Sequence, residues 1–259
     1  MDPHSLSDLG RALSGQAMRG YRPGVATARI NDRGSRGYPV PRRLRENGLS
    51  IAMFGLFGVF LVGQALTGWN AYNVEQREHH EPTVGLGSYL TTGHFVEATF
   101  ENWESEFLQM ASYVLLTIWL VQKGSSESKP PGGDPAKDAD PRSVSDLGQA
   151  PGPVRRGGWQ LRLYENSLGI ALALLFVLSF VLHALGGARD YSADQVAHGR
   201  QAVSTMEFVT TSTFWFQSFQ NWQSEFVAVG SIVVLTIFLR QRGSPESKPV
   251  AAAHHDTGG

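Results

Sequence analysis

The 259-residue chain contains no cysteine. That excludes a disulfide-stapled fold, a zinc ribbon and thiol chemistry. It carries little excess charge of either sign: 22 Lys and Arg stand against 23 Asp and Glu, for a net charge of −1. A balance this even gives no basis for a nucleic-acid partner. Its 29 glycines follow no G-X-Y period, which excludes collagen. Walker loop, dinucleotide fingerprint, HExxH, GxSxG and CxxC are all missing, and no nucleophile is coupled to a base. No enzyme, catalytic residue or cofactor is therefore expected. Read as averages, 42% hydrophobic residues, 17% charged residues and a mean hydropathy of −0.17 describe a soluble protein.

The distribution reverses that impression. A charge-free stretch has its apolar heart at Leu49 to Gly68. About 20 helical residues span about 30 Å, the thickness of a hydrocarbon core. Further apolar runs lie at Phe107 to Val121, Asn166 to Ala188 and Phe226 to Leu239. The second and fourth become long enough when extended back to Trp103 and Trp222. Four transmembrane helices are expected. A signal peptide is excluded, because the first run begins near residue 49, after a long Arg-rich polar segment, and no small-residue cleavage site follows. With the N-terminus in the cytoplasm, 19 of the 22 basic residues fall on the cytoplasmic side. That is a strong positive-inside pattern, so both termini are expected in the cytoplasm.

The chain repeats itself at an offset of 119. LRENGLSIA (44–52) returns as LYENSLGIA (163–171), NWESEF (102–107) as NWQSEF (221–226), and LLTIWLVQKGSSESKP (115–130) as VLTIFLRQRGSPESKP (234–249). About 38 of 87 aligned positions are identical without a gap, which reads as duplication. Each unit is expected to be a helical hairpin, and the two hairpins enter from the same side as parallel tandem repeats. The fold class is thus an all-α membrane protein with five segments. Residues 1–42 form a disordered Arg-rich cytoplasmic leader, and 43–123 the first two-helix unit, with helices over about 49–68 and 103–122. A flexible linker covers 124–158. The second unit covers 159–242, with helices over about 166–188 and 222–240, and 243–259 is a disordered tail. The lipid bilayer is the main partner. Arg42, Arg43 and Arg45 are placed to meet anionic lipid, and self-association is compatible with the pattern.

Positions kept in both copies supply the candidate residues. Glu46-Asn47 and Glu165-Asn166 read as helix caps, since Asn is a good N-cap and Glu suits the positive end of a helix dipole. Lys123-Gly124 and Arg242-Gly243 read as C-caps. Asn102, Trp103, Asn221 and Trp222 read as interfacial anchors. Glu106 and Gln64 lie at similar depth on paired helices, as do Glu225 and His183. Gln64–Glu106 and His183–Glu225 are therefore candidate interhelical hydrogen bonds in a polar intramembrane cluster. The stretch EQREHHE (75–81) could bind a metal by residue type, but copy two keeps only Asp194 and His198; a solvated acidic loop is expected, and no metal site is assigned. The His254–His255 pair has no companions.

The run Arg43-Leu44-Arg45-Glu46-Asn47-Gly48-Leu49-Ser50, the NWxSEF motif and the closing GSxESKP resemble an uncharacterised bacterial membrane family, a domain of unknown function with two-helix units. The resemblance covers about 43–130 and 162–249. It implies a bacterial inner-membrane location and supplies no activity. The leader lies outside it, which is consistent with a start codon placed too far upstream. Two functions remain from the sequence. One is a structural or interaction protein of the cell envelope. The other is a small ion, proton or solute transporter using Glu106 and Glu225 with Gln64 and His183.

Overall fold

The computed structural model describes residues 41–143 and 146–258; most of the expected leader lies outside them. Ten α-helices follow in order: α1 (Arg42–Glu46), α2 (Gly48–Glu78), α3 (Leu86–Tyr89), α4 (Gly93–Trp119), α5 (Pro135–Asp138), α6 (Gly152–Arg156), α7 (Gly158–Glu165), α8 (Ser167–Ala197), α9 (Thr205–Val209) and α10 (Ser212–Phe238). A 3-10 turn covers Pro141–Ser143. Among the described residues there is no strand.

The chain divides into two contact units at Gly55, within α2. The described part of the first unit is α1 and the opening turns of α2. An exposed Arg42–Glu46 ion pair at 2.6 Å spans one turn of α1. Leu49, Ile51, Met53 and Phe54 are all exposed.

The second unit, from Leu56 on, contains the long helices α4, α8 and α10. Its most extensive packing joins α4 to α8, followed by α4 to α10. The sequence pattern pairs helices within each copy, so the closest partners are instead the second helix of one copy and the first of the next. Glycine explains why. A Cβ on Gly93 would stand 2.6 Å from the Asp190 backbone nitrogen, and one on Gly186 would stand 2.6 Å from that of Glu97. Only bare backbone permits this approach, as small residues do at membrane helix crossings.

Among the described residues, three helices are long and apolar enough to cross a membrane: α2, α8 and α10. Four were expected. The missing one, α4, has 27 residues, but its first half carries Glu97, Glu101, Glu104 and Glu106. Around the bundle, large apolar side chains face outward, with Phe60, Trp119 and Leu174 each more than 60% exposed. A surface of this kind suits lipid and would aggregate in water.

Equivalent elements keep the 119-residue offset: α2 and α8 both have 31 residues and begin at 48 and 167, while α4 and α10 both have 27 and begin at 93 and 212. Both α2 and α8 run ten or so residues past the apolar stretch. Side chains past that limit hold the loops. Asn73 donates to and accepts from the backbone of Val84 at 2.9 and 2.8 Å, and Trp69 donates to the same carbonyl. At the matching place, Ser192 does the same with Val203. Each loop then turns an aromatic ring onto a helix glycine: Tyr89 lies against Gly68, and Phe208 against Gly187.

Two expectations about the ends need correction. Helices α4 and α10 stop at Trp119 and Phe238, and Gly124 and Gly243 sit in the turns beyond, at φ +90 and +86, rather than capping the helices. The chain leaves the helix there because Ser128 and Ser247 each accept from the backbone nitrogen of Gln122 and Gln241 at 2.9 Å. The linker and tail also carry defined turns where flexible chain was expected. In the linker, Asp134 caps α5 by accepting from the Ala136 and Lys137 nitrogens, which holds its carboxyl below the usual range. Lys129 pairs with Asp138 at 2.8 Å. In the tail, the buried Lys248 ammonium donates to the carbonyls of Ala253, His254 and Asp256. Low apolar content concealed these turns, because polar side chains and caps hold them.

Candidate functional site

The candidate site lies where α4, α8 and α10 meet. His183, on α8, is fully buried. Its Nδ1 stands 2.7 Å from Glu104 Oε2, on α4, and Glu104 is fully buried as well. The other carboxylate oxygen of Glu104 accepts from Trp222 Nε1, on α10, at 2.9 Å. One carboxylate therefore ties three helices together. On the far side of the imidazole, Nε2 faces Gln217 Oε1 at 3.4 Å, and the Gln217 amide donates to Glu97 Oε1 at 2.5 Å. Glu97, Glu101 and His183 each offer a ligating atom, and these atoms all lie within 4.8 Å of one another. The His183 ring stacks on Phe214, with centroids 4.7 Å apart, and that ring belongs to an apolar core with Ala184, Ala188 and Phe208.

The local geometry follows from helix phase. Residues 97, 101 and 104 are spaced i, i+4, i+7, which places three carboxyls along one stripe of α4. Gly93, one turn earlier on that stripe, lets α8 approach closely enough for His183 to reach Glu104. Buried charges need partners: Glu104 has His183 and Trp222, and Glu97 has Gln217.

The structure divides the expected cluster of Gln64, Glu106, His183 and Glu225. Gln64 donates to Thr99 at 3.3 Å rather than bonding Glu106. His183 bonds Glu104 rather than Glu225. Glu106 and Glu225 lie beside each other, two carboxyls at one helix contact. Gln64 meets Thr99, seven residues or about 10 Å up the helix from Glu106, so the depth matching did not hold, and neither did the phase. Glu104 and Glu106 differ by two residues, or about 200° around a helix, so they face nearly opposite ways.

The anchors and caps also take other roles. Asn102 and Asn221 each donate to their own helix, to the carbonyls of Ala98 and Gln217. Trp103 packs on Phe57 and Phe100. Trp222 points inward to Glu104, where an interfacial anchor was expected. Asn47 and Asn166 do not cap the helices that follow. They donate back to Arg43 and Arg162, closing the short helices that precede. Those short helices run almost directly into α2 and α8, so the nearer unsatisfied groups are carbonyls behind rather than amides ahead. Glu46 bonds Arg42, and Glu165 ends α7. The His79 and His198 rings stand 6.1 Å apart, and His79 lines a cavity of about 620 Å³ together with Glu75, Asp190 and Asp194.

Glu97, Glu101 and Glu104 escaped the sequence reading because copy two has Phe216, Gln220 and Gln223 at the matching positions. A search confined to shared residues passes over them. The signal that would have found them is the helical stripe of acids opposite a lone histidine in an apolar run.

Fold and site together define an all-helical protein, compatible with a membrane, that holds ionisable groups buried between its helices. Residues 40–259 match the family described as Domain of unknown function (DUF6766), and the chain belongs to it. No curated protein and no solved structure matches it.

Proposed function

We propose that the chain is a structural or interaction protein of the bacterial inner membrane, not an enzyme. In this reading two tandem two-helix units make four spans, with both termini, linker and tail in the cytoplasm. The observation that carries it is the fully buried Glu104–His183 pair on helices from different copies. It fits a clasp that joins the units into one bundle whose outer face is apolar. Of the four acids that lower the hydropathy of α4, Glu97 and Glu104 are buried and Glu101 is half-buried, which supports this helix as the fourth span. Arg42, Arg43 and Arg45 remain placed for anionic lipid, and the exposed apolar flanks for self-association. A transporter would need Gln64, Glu106, His183 and Glu225 to face one cavity, and their partners differ.

The absence of cysteine makes the topology directly testable. Single substitutions Thr83→Cys, Ala139→Cys, Ala202→Cys and Ala251→Cys fall at exposed positions in the two loops, the linker and the tail. A membrane-impermeant maleimide applied to intact spheroplasts is expected to label Thr83→Cys and Ala202→Cys. The other two should label only after permeabilisation. Labelling of Ala139→Cys from outside would leave α4 uncrossed and end the four-span reading.

A further inference from the structure

We propose that Glu97, Glu101 and His183 bind one divalent first-row transition-metal ion, of the manganese, iron or zinc class, with Glu104 as the outer carboxylate that orients the imidazole. The argument starts from the histidine. Glu104 takes the proton of His183 Nδ1 at 2.7 Å, so in the neutral ring the lone pair sits on Nε2. Nε2 then faces Gln217 Oε1 at 3.4 Å, and that oxygen also carries only lone pairs. As placed, the Gln217 amide gives its NH₂ group to Glu97 and turns its oxygen to the ring. In the neutral ring, the lone pairs of Nε2 and of Gln217 Oε1 thus face each other beside two carboxyls.

A cation resolves this. The two ligating glutamates balance a 2+ ion, which suits a site of buried and half-buried side chains. Ligating atoms within 4.8 Å of one another come from facing helices and need to close by about 1 Å to reach metal–ligand distances of about 2.0–2.2 Å. Gln217 Oε1 stands ready as a fourth donor. One nitrogen with oxygens, and no thiolate anywhere in the chain, favours manganese, iron or zinc over softer ions. A carboxylate on the distal nitrogen of a ligating histidine is the recurring outer-shell arrangement at such sites, and Trp222 fixes that carboxylate in turn.

The test uses the full chain purified through a tag without histidine, stripped with a chelator, and titrated with Mn²⁺ and with Zn²⁺ by calorimetry. One equivalent per chain is expected. Glu101→Gln and His183→Gln should each weaken binding by about 100-fold or more, and Glu104→Gln by about 10- to 100-fold with stoichiometry kept. The double variant His79→Asn/His198→Asn should bind as the parent does. Pulsed electron paramagnetic resonance of the Mn²⁺-loaded parent reads the histidine without any substitution, and a coupling from one imidazole nitrogen is expected. The proposal is overturned by any of three results: no saturable binding of either ion, binding that survives both Glu101→Gln and His183→Gln, or a manganese signal with no nitrogen coupling. Loss of binding in the loop variant would place the metal at the outer loops and overturn it equally.

Discussion

The buried pair Glu104–His183 allows a prediction whose size depends on its environment. A hydrogen bond between neutral groups in a membrane bundle averages about 0.6 kcal/mol. Leaving a buried charge without its hydrogen-bond partner costs about 3–5 kcal/mol. Both side chains here are wholly buried and their contact is 2.7 Å, so the larger figure applies. With His183→Phe, the Glu104 carboxylate keeps Trp222 Nε1 as its one remaining hydrogen-bond donor. A loss of about 3–5 kcal/mol is expected. Glu104→Met leaves a neutral imidazole with an unmatched N–H, for about 1–3 kcal/mol. The double variant strands neither, so it should be more stable than His183→Phe alone, with an interaction energy of at least about 2 kcal/mol. Reversible unfolding in mixed micelles with chelator present, followed by fluorescence of the six tryptophans, measures all four corners of the cycle. Single losses that add to within about 0.5 kcal/mol would show that the two side chains act independently, and the clasp would be refuted.

Gly186→Ala is expected to cost about 1–3 kcal/mol in the same assay, because its Cβ would meet the Glu97 nitrogen at 2.6 Å. Gly63→Ala, with nothing within 4 Å of its Cβ, should be neutral or stabilising by up to about 1 kcal/mol; equal effects at the two sites would remove the close-crossing explanation. At α9, Ser204 and Glu207 form a reciprocal capping box, and Ser204→Ala should cost about 1 kcal/mol, seen as faster amide exchange over 204–209. The Ser204 backbone N–H holds the Glu207 carboxyl below its ordinary value of 4.5. A depressed carboxyl stabilises the fold above that value and ceases to as pH falls through its own lower one. Protection of this turn should therefore drop on the acid side of pH 4.5, and Glu207→Gln should abolish that step.

Helix class and the 119-residue register were legible because both depend on patterns summed over many residues: apolar runs for one, paired motifs for the other. Helix ends were less legible. The run Leu49 to Gly68 marks where apolar chain stops, yet α2 continues to Glu78 because Trp69 and Asn73 hold the returning loop at Val84. Partner choice was not legible from depth. Matching Gln64 with Glu106 and His183 with Glu225 uses the axial rise of a helix and ignores its rotation, and rotation decides which side chain meets which.

The two copies differ in an informative way. Many shared residues build what each copy needs alone: Thr92 and Thr211 cap α4 and α10, Ser128 and Ser247 bind the turns beyond, and an aromatic ring rests on Gly68 or Gly187. Four residues that differ serve the contact between copies. Glu97, Glu101 and Glu104 occur only in the first, and His183 only in the second, with Gln64 in its place in the first. A pair formed between α4 and α8 can be made only once in the chain, since each helix has a single such neighbour. Neither the acid nor the base is then needed twice. Buried charge without its partner is costly, so the unused counterparts are held to neutral groups, Gln223 and Gln64.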